Sequence, residues 1–271
     1  MQSLYGLFGE SLSHSISPQI HTILMNKLNI KGYYHLFEVK KQELKVALEG
    51  LKALGARGLN ITIPYKTDIM EHIDNISDEA RRIGSVNTIK FNEGTTTGYN
   101  TDYFGLDYTF KRYNVQLENS NAVLLGSGGV AITLVQYLLD SGINEISIVG
   151  RDIEKIKAIE KFKGLRLFTY NNILEVPKKD ILINCSPCGM YPKVNYSPVE
   201  KSFVSNFNII LDLIYNPRET LFLRYARESG LKGINGLNML VAQAVYAQVL
   251  WNSIDFNYDL IDEIFNELEL G

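Results

Sequence analysis

Short apolar runs alternate with longer segments of helical period along nearly the whole chain. That alternation predicts strand–helix–strand units with parallel sheets, so the fold class is α/β. Leu4 to Gly9, Tyr33 to Val39 and Gly58 to Ile63 read as strands, separated by helices near Pro18 to Leu28 and Gln42 to Leu54. Pro18 suits a first helical turn, where its missing N–H leaves no bond unmade. Val86 to Phe91 and Thr95 to Tyr99 have the pattern of a hairpin around the turn-prone Asn92-Glu93-Gly94.

A polar stretch from Asn114 to Asn121 precedes the very apolar strand Ala122 to Leu125, and a domain boundary is expected there. Strand, Gly-rich turn, a helix from about Gly129 to Ser141 and a second strand, Glu145 to Val149, then make a βαβ unit. Strands near Leu165 to Thr169, Ile181 to Asn184 and Ile209 to Leu213 would extend the same sheet. The pattern adds two final helices, about Gly236 to Trp251 and Tyr258 to Leu268, without saying where they pack. The expected division is 1–113, 114–235 and 236–271, and no internal repeat or low-complexity tract interrupts it.

The 271 residues suit two moderate domains, and 45% hydrophobic with 21% charged residues is the balance of a packed globular protein. A net charge of -3 gives no electrostatic footprint for nucleic acid or an anionic membrane surface, so an anionic ligand needs a local site. Without a leader-like start or a run of about 20 apolar residues, a soluble cytoplasmic protein is expected. Cys185 and Cys188 form a lone CxxC around Pro187. Two buried small hydrophobes near a strand end account for the pair better than a redox couple.

Gly126-Ser127-Gly128-Gly129-Val130-Ala131 stands between an apolar strand and an amphipathic helix. Glycines there let backbone amides approach a pyrophosphate at the positive helix end, although a tight strand–helix connection needs glycine too. About twenty residues on, where an NAD site carries an acid, the next strand ends in Gly150-Arg151-Asp152. The Arg151 guanidinium suits the 2′-phosphate of NADP, and Lys155 one turn later adds positive charge. Asp152 either repels that phosphate, accepts from a free ribose hydroxyl as NAD requires, or caps the helix that follows.

Four segments of the first half carry polar residues at strand ends. Ser13 to Pro18 offers hydroxyls and helix-start amides to a carboxylate, or simply caps the helix. In Asn60 to Lys66, period-two polarity sets Asn60 and Thr62 on one face, with Lys66 beyond the end and in reach of a bound carbonyl. Ser85 to Thr88 and Tyr99 to Asp102 add an amide and a carboxylate at similar junctions.

Eight segments in order, SHSISP, NITIPYK, GSVNTI, YNTD, GSGGVA, INCSPCGM, DLIYNP and GLNMLVAQA, carry a resemblance to the shikimate dehydrogenase family over nearly the whole chain. The resemblance implies an N-terminal α/β substrate domain with a mainly parallel sheet, a C-terminal Rossmann-like NADP domain, and final helices returning to the first. It implies reversible, NADPH-dependent reduction of 3-dehydroshikimate to shikimate in aromatic amino acid biosynthesis, by a monomer or homodimer. It implies that Ser15 and Ser17 bind the substrate carboxylate, and that Asn60, Thr62, Asn87, Asp102 and Gln243 bind its ring hydroxyls. Lys66 then matches the catalytic lysine, Tyr215 the aromatic hydroxyl near the substrate, and Gly236 with Met239 the nicotinamide-side segment. Three departures stand out: Asp152 where threonine is common, the two cysteines at usually small or apolar positions, and Asn238 where glycine is frequent.

Ketone reduction needs a proton donor beside the developing alkoxide, and Lys66 is the candidate, with Asp102 to orient it. A quinate/shikimate dehydrogenase using NAD is the nearest alternative. A sensor that binds metabolite and dinucleotide without turnover is the other, which retention of Lys66 and Asp102 disfavours.

Overall fold

The computed structural model describes residues 2–13, 15–177 and 180–270, with backbone only for 269 and 270; His14 of the SHSISP segment lies outside the described residues. The chain forms two compact units, one of residues up to Gly105 plus those from Val241 onward, the other Leu106–Leu240. These divisions fall eight and five residues from the boundaries at 113 and 235 expected from composition, because both crossings lie inside helices rather than in polar linkers.

The first unit contains β1 (Ser3–Gly9), α1 (Ser17–Lys27), β2 (Gly32–Glu38), α2 (Leu44–Ala53), β3 (Gly58–Ile61), β4 (Asn75–Ile76), α3 (Asp78–Ile83), β5 (Thr88–Asn92) and β6 (Thr95–Tyr99). Helix α4 (Thr101–Arg112) begins in it. Its sheet runs β2-β1-β3-β5-β6-β4; β2, β1 and β3 are parallel, and β5 is antiparallel to both neighbours. Strand β1 is buried on both faces along its last five residues, as a strand between two others should be, whereas edge strand β2 alternates between covered and open positions. The β5–β6 turn places Glu93 and Gly94 at φ 47° and 80°, the left-handed pair a two-residue hairpin demands.

The second unit's sheet uses β7 (Asn121–Leu125), β8 (Glu145–Gly150), β9 (Arg166–Thr169), β10 (Ile181–Asn184), β11 (Ile209–Asp212) and β12 (Lys232–Ile234). The order is β12-β11-β10-β7-β8-β9 and every pairing is parallel. The chain winds outward from β7 to β9, then returns to β10 and winds the other way. This is the doubly wound arrangement whose carboxyl ends open at the β7–β10 switch point. Helices α5 (Gly129–Asp140), α6 (Ile153–Lys157), α7 (Lys201–Val204) and α8 (Leu221–Glu228) connect the strands.

Helix α9 (Leu237–Asn252) crosses back, and α10 (Asp259–Leu270) closes the chain. Trp251 of α9 is 1% exposed, stacks on Tyr5 at 5.2 Å and donates its indole N–H to the Ile89 carbonyl at 2.9 Å. It lies on the bare backbone of Gly58, where an added Cβ would stand 2.3 Å from the indole. Among the described residues no helix is long and apolar enough to cross a membrane.

Candidate active site

Strand β3 ends at Ile61, sooner than the apolar run suggests, because Pro64 has no N–H to continue a ladder. The chain turns, and Lys66 is fixed through its own carbonyl, which accepts the Val86 N–H at 2.8 Å. Asn100 caps α4 by accepting from the Tyr103 N–H at 3.3 Å, and its amide donates to the Ser85 carbonyl at 2.8 Å. Asp102 therefore projects from the first turn of α4. Its Oδ2 lies 2.6 Å from Lys66 Nζ, with the side chains only 12% (Lys66) and 7% (Asp102) exposed. Drawing two charges this far out of water is unfavourable unless they are closely paired, and the pairing fixes where the ammonium points.

Around the pair stands a set of neutral polar groups. Asn87 accepts from the Thr101 N–H at 2.7 Å and donates to the Thr101 hydroxyl at 3.1 Å. That hydroxyl also lies 3.1 Å from Thr88 Oγ1 and 3.3 Å from Gln243 Oε1 of α9. Asn60 donates to Thr88 Oγ1 at 2.9 Å and accepts from the Tyr34 hydroxyl at 2.8 Å. At the start of α1, Ser15 donates to Ser17 Oγ at 3.1 Å and accepts from the Ser17 N–H at 3.2 Å, while Ile16 rather than a serine is the N-cap residue. The serine hydroxyls thus remain available to an anion. Thr62 sits just past β3, its N–H on the Phe8 carbonyl and its methyl over Gly9.

In the second unit, Gly126 follows β7 at φ +114°, and a Cβ there would meet the Cys185 and Ser186 backbone at 3.1 Å. Only glycine lets the two loops at the switch point touch. Gly128 has open space around its missing Cβ and is the N-cap of α5, which no side chain caps and no acid crowds. Gly129 and Val130 start the helix and Ala131 is fully buried, so backbone donors face outward from a turn that packs closely. Ser127 stands beside Gly150 at the end of β8. This cradle fits the pyrophosphate of a dinucleotide.

Arg151 is exposed immediately beyond β8. Asp152 caps α6, accepting from the N–H groups of Glu154 at 3.1 Å and Lys155 at 3.2 Å, which turns its carboxylate onto its own helix. Lys155 is 85% exposed, with its ammonium 3.9 Å from the Asp152 carboxylate.

The INCSPCGM and DLIYNP loops are locked together by Asp212. Its Oδ2 accepts from Thr220 at 2.6 Å and its Oδ1 from Asn184 at 3.0 Å and the Ile214 N–H at 3.1 Å. Burial pushes this carboxyl up to about 7 despite those donors. Both cysteines are free thiols raised by burial first and by Asp212 second, the reverse of a reactive thiolate. Tyr215 is half-buried in the same loop. Gly236 is required by packing, since a Cβ would stand 2.2 Å from the Leu213 carbonyl oxygen. Asn238 donates to the Tyr113 hydroxyl at 2.9 Å, which holds the extra side chain inward, and Met239 is buried.

Two family profiles match in succession: the shikimate dehydrogenase substrate binding domain over residues 7–89 and shikimate/quinate 5-dehydrogenase over 109–219. The chain is 44% identical over 265 residues to a shikimate dehydrogenase (NADP(+)) of Clostridium beijerinckii, covering 98% of this chain and 97% of the relative. It belongs to the shikimate dehydrogenase family. A chorismate mutase/shikimate 5-dehydrogenase fusion protein from Clostridium acetobutylicum has a similar crystal structure, with TM-score 0.94, 46% identity, and 99% and 98% of the two chains covered. A shikimate 5-dehydrogenase from Listeria monocytogenes, solved with shikimate and NAD, gives TM-score 0.81 at 29% identity over 97% and 96% of the chains.

For this shikimate dehydrogenase family member, the residues expected from sequence fall into two groups. Lys66 and Asp102 meet directly, and Asn60, Asn87 and Gln243 are joined through Thr88 and Thr101. The turn residues from Gly126 to Ala131, with Arg151, Tyr215, Gly236 and Met239, all belong to the other unit. Sequence reasoning passed over Thr88 and Thr101 as linkers, though both lie inside the segments it selected. It also passed over Tyr34 and His21, because an aromatic residue in a strand and a histidine on the buried face of α1 look like ordinary core.

Proposed function

We propose that the chain is an NADP-dependent shikimate dehydrogenase, catalysing the reversible reduction of 3-dehydroshikimate to shikimate in aromatic amino acid biosynthesis. The observation that carries this reading is the part-buried Lys66–Asp102 pair, 2.6 Å apart, among neutral hydrogen-bonding groups. The nicotinamide, when bound, supplies hydride to the keto carbon or removes it from the alcohol. Lys66 gives a proton to the nascent alkoxide and takes one back in the oxidative direction; Asp102 aims the ammonium and accepts from the neighbouring hydroxyl. Ser15 and Ser17 donate to the carboxylate, while Asn60, Thr62, Asn87 and Gln243 distinguish the ring hydroxyls. Tyr215, Gly236 and Met239 are assigned to the substrate and nicotinamide surroundings on the family resemblance.

Gly126, Ser127, Gly128, Gly129, Val130 and Ala131 cradle the pyrophosphate, with Arg151 and then Lys155 serving the 2′-phosphate. NADP is favoured because the Asp152 carboxylate is occupied as a helix cap instead of standing free for a ribose hydroxyl. The half-exposed position of that carboxylate keeps NAD as the second reading. The two unpaired thiols suit a reducing cytoplasm, the setting this reading implies. The test is formation of reduced-cofactor absorbance with shikimate, run with NADP and then NAD, and with quinate as competing substrate. A higher kcat/KM for NADP with shikimate is expected; no absorbance change with either cofactor refutes the activity.

A further inference from the structure

The second unit carries the pyrophosphate turn after β7 and the nicotinamide-side segment from Gly236 to Met239, more than a hundred residues apart in the chain. Between them stand the loops that follow β10 and β11, and Asp212 is bonded to both. We propose that Asp212 is a positioning residue for the cofactor, holding the nicotinamide-side segment in register with the pyrophosphate turn, so that the two ends of one dinucleotide meet their sites at a fixed separation. This rests on the dehydrogenase reading above.

Each link is a hydrogen bond or a backbone contact. On the pyrophosphate side, the Cys185 N–H donates to the Leu125 carbonyl at 2.9 Å, and the Cys185 and Ser186 backbone packs on Gly126. Asn184 holds the loop that starts there, dividing its two amide hydrogens between Asp212 Oδ1 at 3.0 Å and the Cys188 carbonyl at 3.2 Å. Its Oδ1 accepts from the Ser186 N–H at 3.0 Å and the Ser186 hydroxyl at 2.7 Å. The fully buried Asn184 amide is then completely committed, and its orientation is fixed.

On the nicotinamide side, Asp212 Oδ1 also accepts from the Ile214 N–H at 3.1 Å, and the Ile214 carbonyl accepts from the Gly236 N–H at 3.1 Å. A shift of Ile214 therefore carries Gly236 with it. Oδ2 accepts from Thr220 at 2.6 Å, and Thr220 caps α8 through the Leu223 N–H at 3.2 Å, which anchors the carboxyl to a helix. The donors that meet this buried group are neutral, and its carboxyl is raised to about 7, so the neutral acid also belongs to the working state. Asparagine reproduces that form: it accepts from Asn184 and Ile214 at Oδ1 and donates to the remaining lone pair of Thr220. Leucine makes none of these bonds.

Asp212→Leu should raise the calorimetric Kd for NADP about tenfold or more and lower kcat, the scale of a buried hydrogen-bond joint lost. Kd for 2′-phospho-ADP-ribose, which lacks the nicotinamide, and Kd for shikimate should stay within about threefold, because each needs only one end of the register. Asp212→Asn should stay within about threefold of wild type throughout. Where Asp212→Leu does not fold, Thr220→Val removes one donor and should weaken NADP about threefold with its fragment unchanged. An unchanged Kd for NADP, equal weakening of NADP and its fragment, or an Asp212→Asn variant as weak as Asp212→Leu overturns the positioning role and leaves the dehydrogenase reading intact. A wild-type protein that neither binds a dinucleotide nor oxidises shikimate overturns both.

Discussion

His21 makes the first unit acid-sensitive by an amount that follows from its surroundings. The imidazole is fully buried, stacked on Tyr34, and hydrogen-bonded to the Gln248 side chain at 2.9 Å. Desolvation, partly opposed by Asn60, pushes it down to about 3 from 6.5. A histidine lowered in the folded state contributes stability that is complete above about 6.5 and is lost as pH falls toward about 3, because only the unfolded chain takes up the proton. Near pH 5 the unfolded imidazole lies about 1.5 units below its midpoint, and at about 1.4 kcal/mol per unit the loss is about 2 kcal/mol. The chain has a single tryptophan, and Trp251 packs 5.3 Å from the His21 ring, so urea unfolding followed by tryptophan fluorescence reads the right place. The wild type should lose about 2 kcal/mol more than His21→Phe between neutral pH and pH 5. The comparison subtracts every other titrating group. Parallel pH profiles for the two proteins would refute the assignment of a neutral, buried His21.

Lys66→Ala should lower kcat for shikimate oxidation by about 10²-fold or more, with a smaller effect on KM, in steady-state assays; unchanged kcat removes Lys66 from the chemistry. Ser15→Ala with Ser17→Ala should raise KM by about tenfold or more through lost charge-assisted hydrogen bonds, whereas an analogue without the carboxylate should respond equally to wild type and variant. Gly58→Ala should destabilise by about 1–3 kcal/mol in thermal melts, since its Cβ would meet the indole at 2.3 Å. Asp212 acts in the opposite sense to His21: with its carboxyl raised to about 7 from 3.8, the folded state binds the extra proton, and stability falls as pH rises between those values. Hydrogen exchange in β10 and β11 should show that slope, and Asp212→Asn should abolish it.

The sequence was most legible where local pattern and tertiary demand agree. Strands β1, β7, β10 and β11 are apolar runs that become buried, and Gly126 to Ala131 is recognisable because a strand, a turn and a helix leave few other uses for those glycines. Helix α4 was not read, since Gly105 and its aromatic and β-branched residues have weak helix propensity. What holds it is the Asn100 cap and ring packing, with Phe104 stacked on Tyr246 at 4.5 Å and Phe110 on Tyr137 at 5.4 Å. Helix α8 did carry a signal, with Thr220 capping Leu223 and apolar residues at helical spacing. The three-residue β12 is too short for any period to register. At the site, residue types marked Lys66 and Asp102 as chemistry. Their 2.6 Å meeting depends on Val86, Asn87 and Asn100 locking separate segments, which no local pattern encodes.

Trp251 resting on Gly58 has a consequence for synthesis. The sheet begun by the earliest residues is sealed by an indole that leaves the ribosome about two hundred residues later, after the whole of the intervening unit. The continuous stretch Leu106–Leu240 can collapse as it emerges, but the strands translated first must wait for their lid. A nascent chain halted before Val241 therefore carries an open apolar floor, the kind of surface that chaperones hold.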